Sequence, residues 1–321
     1  MDVWVGVDVS METLDFGWTL NGSKKHIRVS NNLDGFKHAL SKTPKDAKFV
    51  VEATGTYFLD LAFFLDERGQ FLSVANPLCT KSHMRTELRR AKTDKTDSLA
   101  LSRYGQEKNP ERWIPIRPIV LQMREILGVC DTLKMTMASF DNKIHALDQC
   151  SYSSAYAAGV LEDLKAKMAV QLKESMDYLE ELAEKVMSRE LKIIESIPGI
   201  GRDTALKMAI LVGDFQRFSS SRKLVSFCGV SPTVSQSGTS IHSNGVISRM
   251  GGHKIRAALY VCSWSAIRFN PQCKAMWERM TQKGKPGKVV MMAIVNKLIR
   301  MMYSMVINNT MYNPTFLAQA A

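Results

Sequence analysis

The chain has 321 residues, 45% of them apolar, enough for two domains with genuine cores. Lys and Arg number 43 against 31 Asp and Glu, a formal charge of +12 with a pI near 9.4, which points to a polyanionic partner: nucleic acid first, an anionic membrane second. No apolar run reaches the ~18–20 residues of a membrane span, Met1-Asp2-Val3-Trp4 lacks the basic start of a signal peptide, and the six cysteines form no CxxC pair of zinc spacing.

Val3 to Val9 is a short, β-branched apolar run and reads as a buried strand, with Asp8 near its end. Leu14 to Leu20 and His26 to Ser30 read as two more strands around an Asn21-Gly22 turn. Asp34 to Leu40 is expected to be a short helix, Lys48 to Val51 a strand ending on Glu52, Leu59 to Glu67 a helix, and Phe71 to Ala75 a strand closed by Asn76-Pro77. Three strands followed by alternating helix and strand imply a mixed α/β sheet flanked by helices. Next comes Lys92-Thr93-Asp94-Lys95-Thr96-Asp97, with a helical run from Ser98 to Glu107.

Pro110 to Pro118 carries three prolines and marks a domain edge. In the long helix beyond it, Ile126, Cys130, Leu133, Met137, Phe140, Ile144 and Leu147 alternate steps of four and three, an a/d seam over about three heptads. Ser151 to Gly159 is a turn or weakened helix, and a second helical stretch runs from about Val160 to Ile194. The pair reads as an antiparallel hairpin or a dimerising coiled coil. Ile197-Pro198-Gly199-Ile200-Gly201 then opens a helix from Asp203 to Leu211. It resembles a helix-hairpin-helix turn, in which Gly199 and Gly201 let backbone N–H groups approach a phosphate, or it is an ordinary tight connection. A polar tract from Ser235 to Gly245 precedes Ser248-Arg249-Met250-Gly251-Gly252-His253-Lys254-Ile255-Arg256. There the Gly pair permits close approach to a ligand, and Arg249, His253, Lys254 and Arg256 offer phosphate contacts. A helix resumes from Ala257 to Phe269, Lys283 to Lys288 is a basic loop, and Val289 to Met305 is a last apolar helix.

The chemistry centres on acids. Asp94 and Asp97 are three apart and share one helix face, among Lys81, Arg85, Arg89, Arg90, Lys92 and Lys95. Each acid has a plain alternative: Asp8 and Glu52 as solvated strand-end carboxylates, Asp94 and Asp97 as residues favoured at a helix N-terminus. Together they are four carboxylates at strand ends and a helix start of one α/β unit, where such folds build sites. All-oxygen ligands suit Mg²⁺ or Mn²⁺.

Taken in order, Gly6-Val7-Asp8-Val9-Ser10, Val51-Glu52-Ala53-Thr54-Gly55-Thr56-Tyr57, Asn76-Pro77, the Lys92–Asp97 run, Ile197–Gly201, Gly229-Val230-Ser231-Pro232 with Gln236-Ser237-Gly238, and Gly252–Arg256 with Leu259-Tyr260 resemble one family. It is that of the DEDD transposases of insertion sequences whose members use a bridge RNA, with the pilin-gene DNA invertases as relatives. The resemblance spans about residues 1–305. It implies a RuvC-like (RNase H-type) domain over 1–112, a helical coiled-coil linker over 113–190 and a mainly helical C-terminal transposase domain over 191–310. The acidic tetrad falls on Asp8, Glu52, Asp94 and Asp97, the metal is Mg²⁺ or Mn²⁺, and the serine nucleophile falls on Ser248, with Ser237, Ser240 and Ser243 as alternatives. Met11 stands where the family often has Lys, and Ser98 where it usually has Ala.

The resemblance thus implies DNA recombination by transesterification, in transposition or inversion. The partners expected are DNA, a guide RNA and a homodimer or homotetramer. The phosphate-binding set comprises Arg85, Arg89, Arg90, Lys92, Lys95, Gly199, Gly201, Arg249, His253, Lys254, Arg256, Lys285 and Lys288. The location expected is cytoplasmic, nucleoid-associated and away from membranes. Two rivals use less of the sequence: a metal nuclease of the junction-resolving type, needing only the acids, and a non-catalytic basic scaffold.

Overall fold

The computed structural model describes residues 2–53, 55–86, 93–233, 236–237, 241–242, 246–247 and 251–314. The chain divides into two compact units, Met1–Pro115 and Ile116–Ala321.

The first unit is a five-stranded sheet with helices. Its elements are β1 (Trp4–Val9), β2 (Thr13–Leu20), β3 (Ser23–Ser30), α1 (Leu33–Lys42), β4 (Lys48–Glu52), α2 (Leu59–Glu67), β5 (Phe71–Ala75), α3 (Pro77–Thr86) and α4 (Asp94–Lys108). The strand order is β3-β2-β1-β4-β5, with β1, β2 and β3 antiparallel in sequence and β1, β4 and β5 parallel. Asn21 and Gly22 both take positive φ, as a two-residue hairpin turn of the expected kind demands. Alternation along the strands sorts the two faces. Val5 and Val7 join Phe16, Phe49, Leu61 and Leu65 in a core closed by α1 and α2. Trp4, Val50 and Ala75 pack with Leu101 of α4 on the other face.

Two helices here differ from expectation. Asn76-Pro77 does not simply close β5. The Asn76 side chain accepts from the Leu78 N–H, and Pro77 begins α3. Proline is well suited to a first helical position because its missing N–H is not needed there. α4 starts at Asp94 rather than Ser98, because Thr93 and Thr96 form a reciprocal capping box.

The second unit is mainly helical: α5 (Pro118–Asp148), α6 (Ala155–Glu195), α7 (Arg202–Val212), α8 (Ser221–Phe227), α9 (His253–Phe269), α10 (Pro271–Gln282) and α11 (Gly287–Asn308). Paired two-residue strands β6 (Pro232–Thr233) with β9 (Val246–Ile247), and β7 (Gln236–Ser237) with β8 (Ile241–His242), lie between α8 and α9. The bases of α5 and α6 enter the core through Val120, Met123, Leu127, Leu179, Ala183 and Leu191. Past Cys130 the seam side chains are only half-buried, and their partner is α6 of the same chain, with Lys165 ion-paired to Asp141 across the hairpin. α10 was not foreseen. Asn270-Pro271 repeats the capping arrangement of Asn76-Pro77, with Asn270 accepting from the N–H groups of Gln272 and Cys273. α11 also departs from the expectation that no segment suits a membrane. Its 22 residues, at a mean hydropathy of 1.5, meet the length and composition of a span, because Lys297 and Arg300 interrupt the run without lowering its average enough. Here Ile294, Leu298 and Met302 of that helix are core residues.

Candidate functional site

The acids converge on the α4 face of the sheet. Strand alternation puts Gly6 and Asp8 of β1 on that face with Trp4, and Glu52 of β4 there with Val50. Both acids lie at the C-terminal ends of neighbouring parallel strands. Asp94 and Asp97 occupy the first turn of α4, where the helix N-terminus favours negative charge. Asp8 is half-buried, and its pKa is raised to about 6, first by burial and then by the charges of Asp97, Asp94 and Asp15. Glu52 accepts a hydrogen bond of 2.6 Å from the Thr80 hydroxyl of α3.

Glycine makes the convergence possible. Gly6 and Gly17 are register partners in the β1–β2 ladder. A Cβ on Gly6 would collide with the Ser98 carbonyl oxygen and the Ser102 amide, and one on Gly17 would lie 2.6 Å from the Ser98 hydroxyl. Further along α4, Gly105 sits on the Trp4 ring. Small residues therefore let α4 lie close against the sheet, with the Ser102 hydroxyl bonded to the Trp4 carbonyl at 2.7 Å. That seat fixes Asp97, one residue before buried Ser98, close enough to Asp8 to perturb it.

A divalent cation suits this donor set in chemistry and charge: the ligands are all oxygen, and burial together with the neighbouring negative charges already hinders ionisation of Asp8. Among the described residues, no three His, Cys, Asp or Glu side chains stand close enough to form a ready-made cage. The arrangement is an open carboxylate cluster.

Sequence reasoning missed the second layer of this site. Asp15 of β2 is the register partner of Asp8 and is buried. It accepts from Arg28 Nε at 2.9 and 3.1 Å and pairs with His26 Nε2 at 2.7 Å. Arg28 also donates to Asp94 at 2.5 Å. An acid amid the apolar run Leu14-Asp15-Phe16 was the signal available.

In the second unit, Gly199 has φ +94 and packs closely on α9, where a Cβ would meet the Ala266 backbone at 2.5 Å. Gly201 precedes α7 in open space. Arg202 behind it is held by Glu180, Glu184 and Glu195. Of the Gly pair, Gly251 lies close on the chain's own backbone, where a Cβ would lie 2.6 Å from the Gly229 N, while Gly252 donates to the Phe227 carbonyl. Arg256 donates to the Gly229 carbonyl at 3.2 Å, and Lys254 is ion-paired with Asp131 at 2.7 Å. His253, Lys285, Lys288 and, in the first unit, Lys95 are exposed. Ser248, Ser240, Ser243, Arg249, Arg89, Arg90 and Lys92 lie outside the described residues, as do the side chains of Arg85 and Ser237.

Comparison with known proteins gives two family matches. Residues 5–151 match the DEDD family of IS110 type, described as "Transposase", and residues 191–278 match the "Transposase IS116/IS110/IS902 family". The chain is 27% identical over 317 residues to the "Pilin gene-inverting protein" of Moraxella bovis, covering 95% of this chain and 96% of that protein. The protein of the same description from Moraxella lacunata is 26% identical over the same shares. The "Transposase for insertion sequence element IS1111A" of Coxiella burnetii is 24% identical over 256 residues, 70% of each chain.

Proposed function

Because this chain belongs to the IS110-type DEDD transposase family, which includes the pilin-gene invertases, we propose that it cuts and rejoins DNA through a serine nucleophile. It is an enzyme of DNA recombination. The observation that carries the reading is the convergence of Asp8, Asp94 and Asp97 on one sheet face, with Glu52 at the end of the adjoining strand.

In this reading the first unit is a RuvC-like domain. Its strand order, three antiparallel strands followed by two parallel additions, supports that assignment. Residues 113–190 form the helical linker and 191–310 the transposase domain. Asp8, Glu52, Asp94 and Asp97 would hold Mg²⁺, or Mn²⁺ in its place. A divalent ion held there would supply Lewis-acid stabilisation of charge developing on the phosphoryl, attacking and leaving oxygens. The Ser248 hydroxyl attacks phosphorus, the bond from phosphorus to the leaving DNA oxygen breaks, and that oxygen takes a proton as serine loses one. The phosphoserine ester preserves the energy of the phosphodiester for rejoining. Arg249 and His253, one and five residues after the serine in sequence, would hold the phosphate.

Exchange between two duplexes needs two such centres, so the working form is a homodimer or homotetramer. A net charge of +12 suits DNA and a guide RNA alike. The cytoplasm, on the nucleoid, is where those partners meet. The test is a plasmid recombination assay with Asp8→Asn, Glu52→Gln, Asp94→Asn and Asp97→Asn. Each variant is expected to fold and to lose recombination, and full activity in any two of them would contradict the acidic-site reading.

A further inference from the structure

A row of charged side chains crosses the sheet beside the acids. The β1–β2 register sets Asp8 opposite Asp15, and the β2–β3 register sets Asp15 opposite Arg28. All three therefore lie on the face that α4 covers. We propose that Arg28, anchored on Asp15, is a positioning residue that aims Asp94 at the metal. This inference rests on the reading of the four acids as metal ligands.

The geometry argues it in steps. Asp94 begins α4, and its side chain is 62% exposed, so packing does not select its rotamer. One contact does: the Arg28 Nη2 donates to the Asp94 Oδ2 at 2.5 Å, leaving Oδ1 for another partner. Arg28 is itself half-exposed and needs an anchor. Its Nε contacts both Asp15 oxygens, at 2.9 and 3.1 Å. A guanidinium is planar and rigid, so fixing Nε fixes the direction of Nη2. Asp15 is fixed in turn, with a side chain only 3% exposed and a second contact from His26 Nε2 at 2.7 Å. Asp15 is buried but Arg28 is half-exposed, so the pair adds little to stability. Its effect here is directional: it links β3 to the first turn of α4. Groups that orient a ligand commonly change metal affinity 10–100-fold when removed.

The experiment is a Mn²⁺ titration of the full chain, with free Mn²⁺ read by electron paramagnetic resonance and folding of each variant checked by circular dichroism. The parent is expected to bind Mn²⁺ and Asp97→Asn to lose binding. Arg28→Gln and Asp15→Asn are each expected to weaken binding about 10–100-fold. Their double variant should be no weaker than the worse single one, because the two act through one contact. Arg28→Lys keeps the charge and lacks the fork, so it guards against a variant that merely misfolds, and it should also bind weakly. Parental affinity in folded Arg28→Gln or Arg28→Lys would overturn the positioning role and leave the acidic site standing. No Mn²⁺ uptake by the parent, or uptake unaffected by Asp97→Asn, would overturn both.

Discussion

Gly6 on β1 and Gly17 on β2 face each other across the ladder, and the backbone of α4 at Ser98 rests on both. The pair is the seat that carries Asp94 and Asp97 to Asp8. Gly6→Ala should push the helix away, since its Cβ would meet backbone atoms that cannot move aside. Gly17→Ala meets the Ser98 hydroxyl at 2.6 Å and the Leu99 amide nitrogen at 2.8 Å, against 2.0 Å to backbone at Gly6, and should be milder. Urea unfolding is expected to show a loss of about 1–3 kcal/mol for an overpacked site, larger at Gly6. Equal and negligible losses would mean that α4 is not seated as described.

Asp8 predicts a pH dependence. Its folded pKa of about 6 lies above the ordinary carboxylate value of 3.8, so the folded state holds a proton that the unfolded state releases. Stability should therefore fall as pH rises from about 4 to about 6, by at most about 3 kcal/mol at about 1.4 kcal/mol per pKa unit, and by less because solvent screens the half-buried carboxylate. Asp8→Asn should flatten that slope in EDTA and be more stable than the parent at pH 7. Thermal unfolding across this range checks both. An identical slope in Asp8→Asn would assign the effect to other groups.

The two glycines of the Pro-Gly-Ile-Gly turn should behave differently. Gly199→Ala combines a strained positive φ with a clash on α9 and should lower the melting temperature markedly. Gly201→Ala enters open space at a helix start and should cost no more than about 1 kcal/mol. Thermal unfolding of the two variants compares them. Equal losses would contradict the packing role given to Gly199.

The helical hairpin gives a further test. Beyond Cys130 the α5 seam is covered only in part, by α6. Met137→Glu with Ile144→Glu should raise amide exchange over residues 131–178 and leave the core around Leu191 and Leu298 protected. Light scattering on the same variant reports whether the seam also joins chains. Unchanged exchange would show that these side chains do not hold the hairpin together.

Much of the first unit was legible because β1 and β4 are short apolar runs buried on both faces and Asn21-Gly22 fixes a two-residue turn. The acids were legible as strand-end and helix-start residues. The Asp15–Arg28 contact was recoverable too: a turn pairing Leu20 with Ser23 sets Asp15 opposite Arg28. Placing the start of β3 at His26 rather than Ser23 concealed it. α3 and α10 were missed for one reason, since Asn-Pro signals a helix start as readily as a chain break. The close seat of α4 was hidden because Gly6 and Gly17 meet only after the strands pair, and sequence distance does not display that.

The central claim is a serine nucleophile, and the most direct measurement is a covalent one. A nicked suicide DNA substrate prevents rejoining, so the intermediate accumulates as a DNA-linked protein band, and peptide mapping then locates the bond. The account predicts an adduct on Ser248, absent in Ser248→Ala while DNA binding persists. Normal recombination by Ser248→Ala, with no adduct on any serine, would contradict it and leave hydrolysis at the acidic cluster as the chemistry of this protein.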